Sequence, residues 1–562
     1  MEARPTAVKP VSINPTLKDP ALLPGVFLLW ALMALFVLYP LGCLLQTAFY
    51  VGGQWTLANL AHVLANWYDR AAIINSLLLA VAVAGAGTAL GLLFAFAVIR
   101  TNLPKFFKVA VSGIIVLPLI SPPFTSSIAI TLALGPNGLI LKALGLGNFI
   151  IYGFWGTWLS ETLTYFPVAF LTLTAVLMAI DPTLEDAALS LGSTRLRTLA
   201  TVTLPLAIPG LANAFLLLFA SSLSDFATPL VLAGHNFPIL PTQAYLQITG
   251  LHDLKGGATL SFILILPALL VYVLQRYWIG KRSYVTVTGK ASVKTALRVV
   301  DRWGAAVLAT VCSFVCLFIL FLYLIIFLGS LVKVWGVDYS LTLDNFNYVF
   351  NRGFKAITDT LIIAAVATPL GGILAVAIGY ITTRKNYAGN KLLEFVSLLN
   401  YSLPGTVVGI AYIIAFNTGP VVLTGTLAII VAAYIFRYEA TGIRSTVAAL
   451  HQIDNSLEEA ALSLGASNFT CFRRVTLPLI VPAVISGMRF LLVRSMTAIS
   501  ATIFLVSVSW TLLTTRILEC ITELQFAQAA AFSVILIGII FVLSGVISLA
   551  FRLAYPQAAR NT

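Results

Sequence analysis

The chain has 562 residues, of which 59% are hydrophobic and only 9% charged, with a mean hydropathy of +0.98. So little polar surface could not cover a water-exposed fold of this size, which excludes a soluble or disordered protein and leaves an integral membrane protein. Lys and Arg number 33 against 20 Asp and Glu, a net charge of +13, and their placement described below accounts for that excess without a nucleic-acid partner.

Residues 1–23 read as a cytoplasmic N-terminal tail. They carry Arg4, Lys9 and Lys18 and lead into a span-length segment, not a cleavage site. Apolar stretches of about 20 residues or more then fall near 24–48, 72–99, 109–134, 151–178, 206–233 and 258–279. A second set falls near 304–331, 357–382, 393–417, 422–443, 479–506 and 526–552. The pattern predicts an all-α integral membrane protein of twelve transmembrane helices in two six-helix halves, 24–285 and 304–562, joined by a basic cytoplasmic linker at 286–303. In that linker Lys290, Lys294, Arg298 and Arg302 recur at helical spacing, which suits a helix on anionic headgroups or a solvated connector equally.

With the N-terminus inside, the inner loops hold Arg100, Lys105, Lys108, Arg195, Arg197, Lys281, Arg282, Arg384, Lys385, Lys391, Arg473 and Arg474. The outer loops keep Arg70, Lys142, Lys255, Lys333, Arg352, Lys355 and Arg516. This positive-inside asymmetry places both chain ends in the cytoplasm.

Two inner loops are copies of one another. Asp181-Pro182-Thr183-Leu184-Glu185-Asp186-Ala187-Ala188-Leu189-Ser190-Leu191-Gly192 is followed by Leu204-Pro205 and Pro209, within 181–210. Asp454-Asn455-Ser456-Leu457-Glu458-Glu459-Ala460-Ala461-Leu462-Ser463-Leu464-Gly465 is followed by Leu477-Pro478 and Pro482, within 454–483, every pair related by a shift of 273. Asp181 and Asp454 suit helix N-caps, and Glu185 and Glu458 suit the positive first turn. Ala187, Ala188, Ala460 and Ala461 keep each helix thin enough to enter a groove in another protein. Gly192 and Gly465 suit a left-handed C′ position. Elsewhere Asn75-Ser76-Leu77 matches Asp359-Thr360-Leu361, Arg100 matches Arg384, and Leu117-Pro118 matches Leu403-Pro404. The halves therefore read as parallel repeats about an axis along the membrane normal.

Glu-x-Ala-Ala, then Gly four positions on, then Leu-Pro, resembles the EAA loop in the membrane subunits of binding-protein-dependent ABC importers. The resemblance implies the type I importer permease fold, with the loop as a coupling helix that docks into a separate ATPase. Glu185, Ala187, Ala188 and Gly192, with Glu458, Ala460, Ala461 and Gly465, become the ATPase-coupling residues. It further implies an ATPase homodimer on the cytoplasmic side, a periplasmic or lipid-anchored solute-binding protein outside, and location in the bacterial inner membrane. Cofactors are none in this chain, with ATP and Mg in the partner ATPase. A secondary transporter driven by an ion gradient would also have two such halves but has no use for matched EAA-like loops.

The sequence has no G-x-x-x-x-G-K-[ST] phosphate loop, since Gly280-Lys281-Arg282 and Gly289-Lys290-Ala291 lack the final Ser or Thr. His62, His235, His252 and His451 lie far apart, and Cys312 and Cys316 fall inside an apolar span, where packing against neighbouring helices is their expected role. No nucleophile, base and orienting group assemble into a catalytic set, and no metal site can be assigned.

Charged residues inside spans are the pathway candidates, because each costs about 2.5–3.5 kcal/mol at mid-membrane and so needs a partner or a pathway. They are Asp225, Glu161, Arg437, Glu439, Arg489 and Arg494. Asp225, about 18 residues into its span and so about 27 Å along it, is expected near the outer mouth. Arg437 and Glu439 are two residues apart and should point different ways. The arginines suit an anion, a ferric ion accompanied by one, or pairing with Glu161 or Glu439. Ser224-Asp225-Phe226-Ala227-Thr228-Pro229, Arg437 and the segment Ser495–Phe504 resemble the ferric-iron permeases, a group that also contains 2-aminoethylphosphonate permeases. The resemblance implies ferric iron as cargo, with the phosphonate or another small anion as the alternative.

Overall fold

Backbone amides in a bilayer find no water, so apolar runs must close their hydrogen bonds within themselves and become helices. The computed structural model describes residues 22–554 apart from 137, 144, 146–149, 280–299, 386 and 388. Its regular structure is helical except for two short antiparallel strand pairs, Tyr50–Val51 with Gln54–Trp55 and Val332–Val334 with Asp338–Leu341. Each strand pair follows the first long helix of its half and precedes a short helix, Ala58–Ala65 or Asp344–Arg352. Most of the tail and the linker residues Lys290, Lys294 and Arg298 lie outside the described residues; Arg302 opens the helix Arg302–Ser330.

Among the described residues ten helices are long and apolar enough to cross a membrane, or eleven if the bent pair Asn390–Ser402 and Gly405–Asn417, which meet at 107°, is one span. The expected twelve are not reached on that measure. The segment expected at 422–443 is the 25-residue helix Leu427–His451, and every stretch of span length within it contains Arg437, Glu439 and Arg444.

Proline and small polar residues break several spans that hydropathy alone reads as continuous. The expected span 109–134 is two helices, Lys105–Ile120 and Phe124–Leu134, parted by Ser121-Pro122-Pro123, where proline pushes the preceding residue out of the helical region. The span expected at 206–233 stops at Leu223 and resumes as Ala227–Leu232. Its counterpart stops at Thr497 and resumes as Thr502–Leu505.

Each half is built on three packed helices: Trp67–Ile99, Phe154–Ala179 and Leu204–Leu223 in the first, Phe354–Arg384, Leu427–His451 and Leu477–Thr497 in the second. Glycines at these crossings let backbones close up, as where Gly442 and Gly487 face each other. The first helix of each half packs on the other half. Leu22–Phe49 lies against Asn390–Asn417, with Tyr412 Oη donating to the Phe36 carbonyl at 2.7 Å. Arg302–Ser330 lies against Lys105–Leu134, where Tyr323 Oη and Ser121 Oγ are 2.6 Å apart. Both main apolar cores consequently draw residues from both halves, and Cys312 and Cys316 are buried in one of them. The matched Ser76 and Thr360 play one role: the hydroxyl of each accepts from a backbone N–H that opens a short helix, Leu240 N at 2.8 Å and Leu513 N at 3.0 Å.

Candidate functional site: twin hairpins and a central cavity

At one end of the bundle the duplicated loops form two helical hairpins of the same construction. The first helix of each is nine residues long, Pro182–Ser190 and Asn455–Ser463. Asp181 caps one by accepting from Thr183 N at 3.0 Å, and Asp454 the other from Ser456 N at 2.9 Å. Each stops in a Schellman turn: Ser193 N donates to Ala188 O and Ala466 N to Ala461 O, both at 3.1 Å. The turn requires a left-handed residue, supplied by Gly192 at φ +85° and Gly465 at φ +88°.

The glutamates face inward. Glu185 is fully buried, and its Oε1 accepts from Thr203 Oγ1 at 2.7 Å and lies 3.3 Å from Arg100 Nη2. Arg100 also donates to the Leu177 carbonyl at 3.1 Å. In the second copy Glu458 Oε1 accepts from Thr476 Oγ1 at 2.8 Å and lies 3.3 Å from Arg384 Nε. Arg384 donates to the carbonyls of Leu450 and Ile453 and to Asn455 Oδ1. Each glutamate thus ties its hairpin to the end of a long helix, and the outward surface presents large apolar side chains, Leu184, Leu191 and Leu196 on one hairpin and Leu457, Leu464 and Phe469 on the other, among the exposed charges Asp186, Arg195, Arg197, Glu459 and Arg473. Leu191 and Leu464 are each 89% exposed. Ala187 and Ala460 share the exposed side, with Ala188 and Ala461 half-buried.

Between the halves lies a cavity of about 280 Å³ whose polar lining includes Tyr165, Asp225, Tyr401, Arg437, Arg444 and Arg494. Each arginine rests on an aromatic face, Arg437 on Tyr438 at 5.4 Å, Arg444 on Tyr401 at 6.0 Å and Arg494 on Phe490 at 5.4 Å, so part of each cation's solvation comes from a ring. Arg437 reaches the wall because residue 405 is glycine; a Cβ there would run into Ser500 Oγ and lie 2.7 Å from Arg437 Nη1. Asp225 sits in the break after Leu223 and accepts from Ala227 N at 3.0 Å and Thr228 N at 3.3 Å through Oδ1. Tyr165 and the Thr228 hydroxyl lie beside the carboxylate, and Arg437 Nη1 is buried without a hydrogen-bond partner.

Three of the six pathway candidates, Asp225, Arg437 and Arg494, meet at this wall. Asp225 is not at an outer mouth: it lies beside Tyr165, near the middle of the 26-residue helix Phe154–Ala179. Glu161 is wholly buried and accepts from Ser222 Oγ. Glu439 does turn away from Arg437, into a small glycine-lined void with Gly371, Gly372, Gly442 and Gly487. Arg489 is exposed and is not part of the cavity lining. Sequence reasoning missed Arg444, although it lies seven residues, two turns, beyond Arg437 and so on the same helix face. It also missed the tethering Thr203 and Thr476, which share the shift of 273.

The family model for the inner membrane component of binding-protein-dependent transport systems matches twice, at residues 87–283 and 367–560. The chain belongs to that family. Each match takes in one hairpin, and together they take in most of the cavity wall. The chain is therefore a multi-pass inner-membrane permease of an ABC importer, a class whose membrane component is not itself catalytic. Among similar permeases, the ferric transport system permease protein FbpB of Actinobacillus pleuropneumoniae is 35% identical over 90% of this chain and 75% of its own. A putative ferric transport system permease protein of Haemophilus influenzae is 36% identical over 85% and 76%. A putative 2-aminoethylphosphonate transport system permease protein of Salmonella typhimurium is 29% identical over 43% of this chain and 92% of its own, so it matches about half the length.

Proposed function

We propose that this chain supplies both halves of the pore in an ATP-driven importer of ferric iron. The observation that carries the cargo is the likeness, at 35% and 36% identity over 90% and 85% of the chain, to two permeases named for ferric transport. The hairpins lie on the cytoplasmic side, as the Lys and Arg asymmetry favours, with both chain ends on that side and residues 286–303 as the linker between halves 24–285 and 304–562. Their exposed apolar faces engage the two subunits of a separate ATPase homodimer, which holds the ATP and Mg. A periplasmic or lipid-anchored binding protein delivers cargo at the opposite end.

Mechanism follows from the tethers. Arg100 and Glu185 fix the first hairpin to the helix Trp67–Ile99, and Arg384 and Glu458 fix the second to Phe354–Arg384. Each of those helices is packed into the three-helix core of its half. A push on a hairpin is therefore transmitted to a rigid group, and closure of the ATPase rocks the halves about the cavity between them.

A second reading, import of 2-aminoethylphosphonate, is favoured by the arginines of the cavity and by the half-length relatives named for it. The two separate in membrane vesicles supplied with ATP and the binding protein. Uptake of labelled ferric ion but not of labelled aminoethylphosphonate is the expected result, and the reverse would overturn the iron reading.

A further inference from the structure

Resting on the ferric-iron reading, we infer that the ion crosses this cavity as a complex with an oxyanion and not as a bare cation. The cavity wall is divided by chemistry. The first half of the chain contributes Asp225 and Tyr165, a carboxylate and a phenol, which are hard oxygen donors suited to a ferric ion. The second half contributes phenols too, Tyr401 and Tyr438, and with them Arg437, Arg444 and Arg494, whose forked donors suit a phosphate, carbonate or carboxylate.

The register of the repeat shows that the division is not inherited from the duplication. The helices Phe154–Ala179 and Leu427–His451 begin 273 residues apart, as do Leu204–Leu223 and Leu477–Thr497. At that shift Thr164 corresponds to Arg437, Leu171 to Arg444, Ser221 to Arg494, and Asp225 to Ala498, whereas Tyr165 and Tyr438 agree and both line the cavity. Among the described residues, the lining cations therefore stand in the second half's wall and the lining carboxylate in the first's.

The charge balance excludes a bare trivalent cargo. Three guanidinium groups face one carboxylate in the lining, and with Glu161 counted, one layer behind Asp225, the balance is still positive. Among the described residues no ion pair joins Asp225 to these arginines, and Arg437 Nη1, buried without a hydrogen-bond partner, leaves a donor for the anion of a cargo that brings both charges. A ferric ion carrying an oxyanion satisfies both sides, whereas a naked one is repelled by most of the wall.

The test uses the assembled transporter, with its ATPase and binding protein, in proteoliposomes. The binding protein is loaded with labelled ferric ion in the presence of radiolabelled inorganic phosphate as the sole oxyanion. ATP should drive both labels into the lumen in fixed proportion. Arg437→Gln with Arg494→Gln should lower both about tenfold or more, the loss of charge-assisted bonds, while Arg494→Lys retains part of the uptake. Iron entering while phosphate stays outside would overturn the inference and leave the iron reading intact. If the ATPase turns over and no iron enters, the iron reading falls and the inference with it.

Discussion

The twin hairpins and the central cavity are made by the same duplication and have kept different amounts of it. At the hairpins, Glu185 and Glu458, Thr203 and Thr476, Gly192 and Gly465, and Leu191 and Leu464 all agree at a shift of 273 and occupy the same geometry. At the cavity the same shift pairs Ser221 with Arg494 and Asp225 with Ala498. On the reading proposed above, symmetry persists where two identical ATPase subunits would be held and is lost where a single cargo would pass between the halves.

The largest effect should come from cutting a tether. Arg100 and Glu185 are 3% and 0% exposed, so Arg100→Ala strands a buried carboxylate and should cost about 3–5 kcal/mol. Arg384 and Glu458, at 8% and 15%, are wetter, and Arg384→Ala should cost about 1–3 kcal/mol. Thermal unfolding of the detergent-solubilised chain checks the order; equal losses would show the two tethers to be equivalent after all. Glu185→Lys belongs here too, since it places two cations together and dislodges the hairpin instead of merely spoiling its docking face.

Next in size is the docking face itself. Leu191→Asp or Leu464→Asp alters only an exposed side chain and should leave folding unchanged, yet each should weaken ATPase capture by about 2 kcal/mol, as truncating an interface hot spot does. Unequal losses would mean that the ATPase reads the hairpins differently. A smaller effect is expected in the turns: Gly192→Ala and Gly465→Ala place a Cβ at positive φ and should each destabilise the hairpin by about 1 kcal/mol, visible as faster amide exchange there.

The smallest is a pH effect. Hydrogen bonds from the Ser456 backbone N–H and hydroxyl, aided by Arg384, hold the Asp454 carboxyl below the usual carboxylate range. A depressed carboxyl stabilises the folded state above its unfolded value of about 3.9 and loses that contribution as pH falls through the folded value. Amide protection in the second hairpin, taken relative to the intrinsic exchange rate at each pH, should therefore fall on acidification below about pH 4, and Asp454→Asn should reduce the dependence.

The hairpins were legible in the sequence because they are local: cap, alanines, glycine and proline all lie within one short segment. Even so, the sequence alone puts Glu185 and Glu458 among the docking residues, and only the fold turns them inward onto Arg100 and Arg384. The cavity was half legible. A charge in a span marks a cost, which selects Asp225, Arg437 and Arg494, but it equally selects Glu439 and Arg489, whose directions depend on helix crossings set by Gly442, Gly487 and their neighbours. Hydropathy likewise measures length and is blind to bends, although Pro122, Pro123 and Pro404 stand at the breaks. The exchange of first helices between halves left no local trace, because their apolar faces would suit either half.

The most direct test of the account is ATPase capture and ATP-dependent uptake by the full chain carrying both Leu191→Asp and Leu464→Asp. The account predicts a protein that inserts and unfolds like the parent but neither retains the ATPase nor imports. Capture and uptake at the parental level would contradict it.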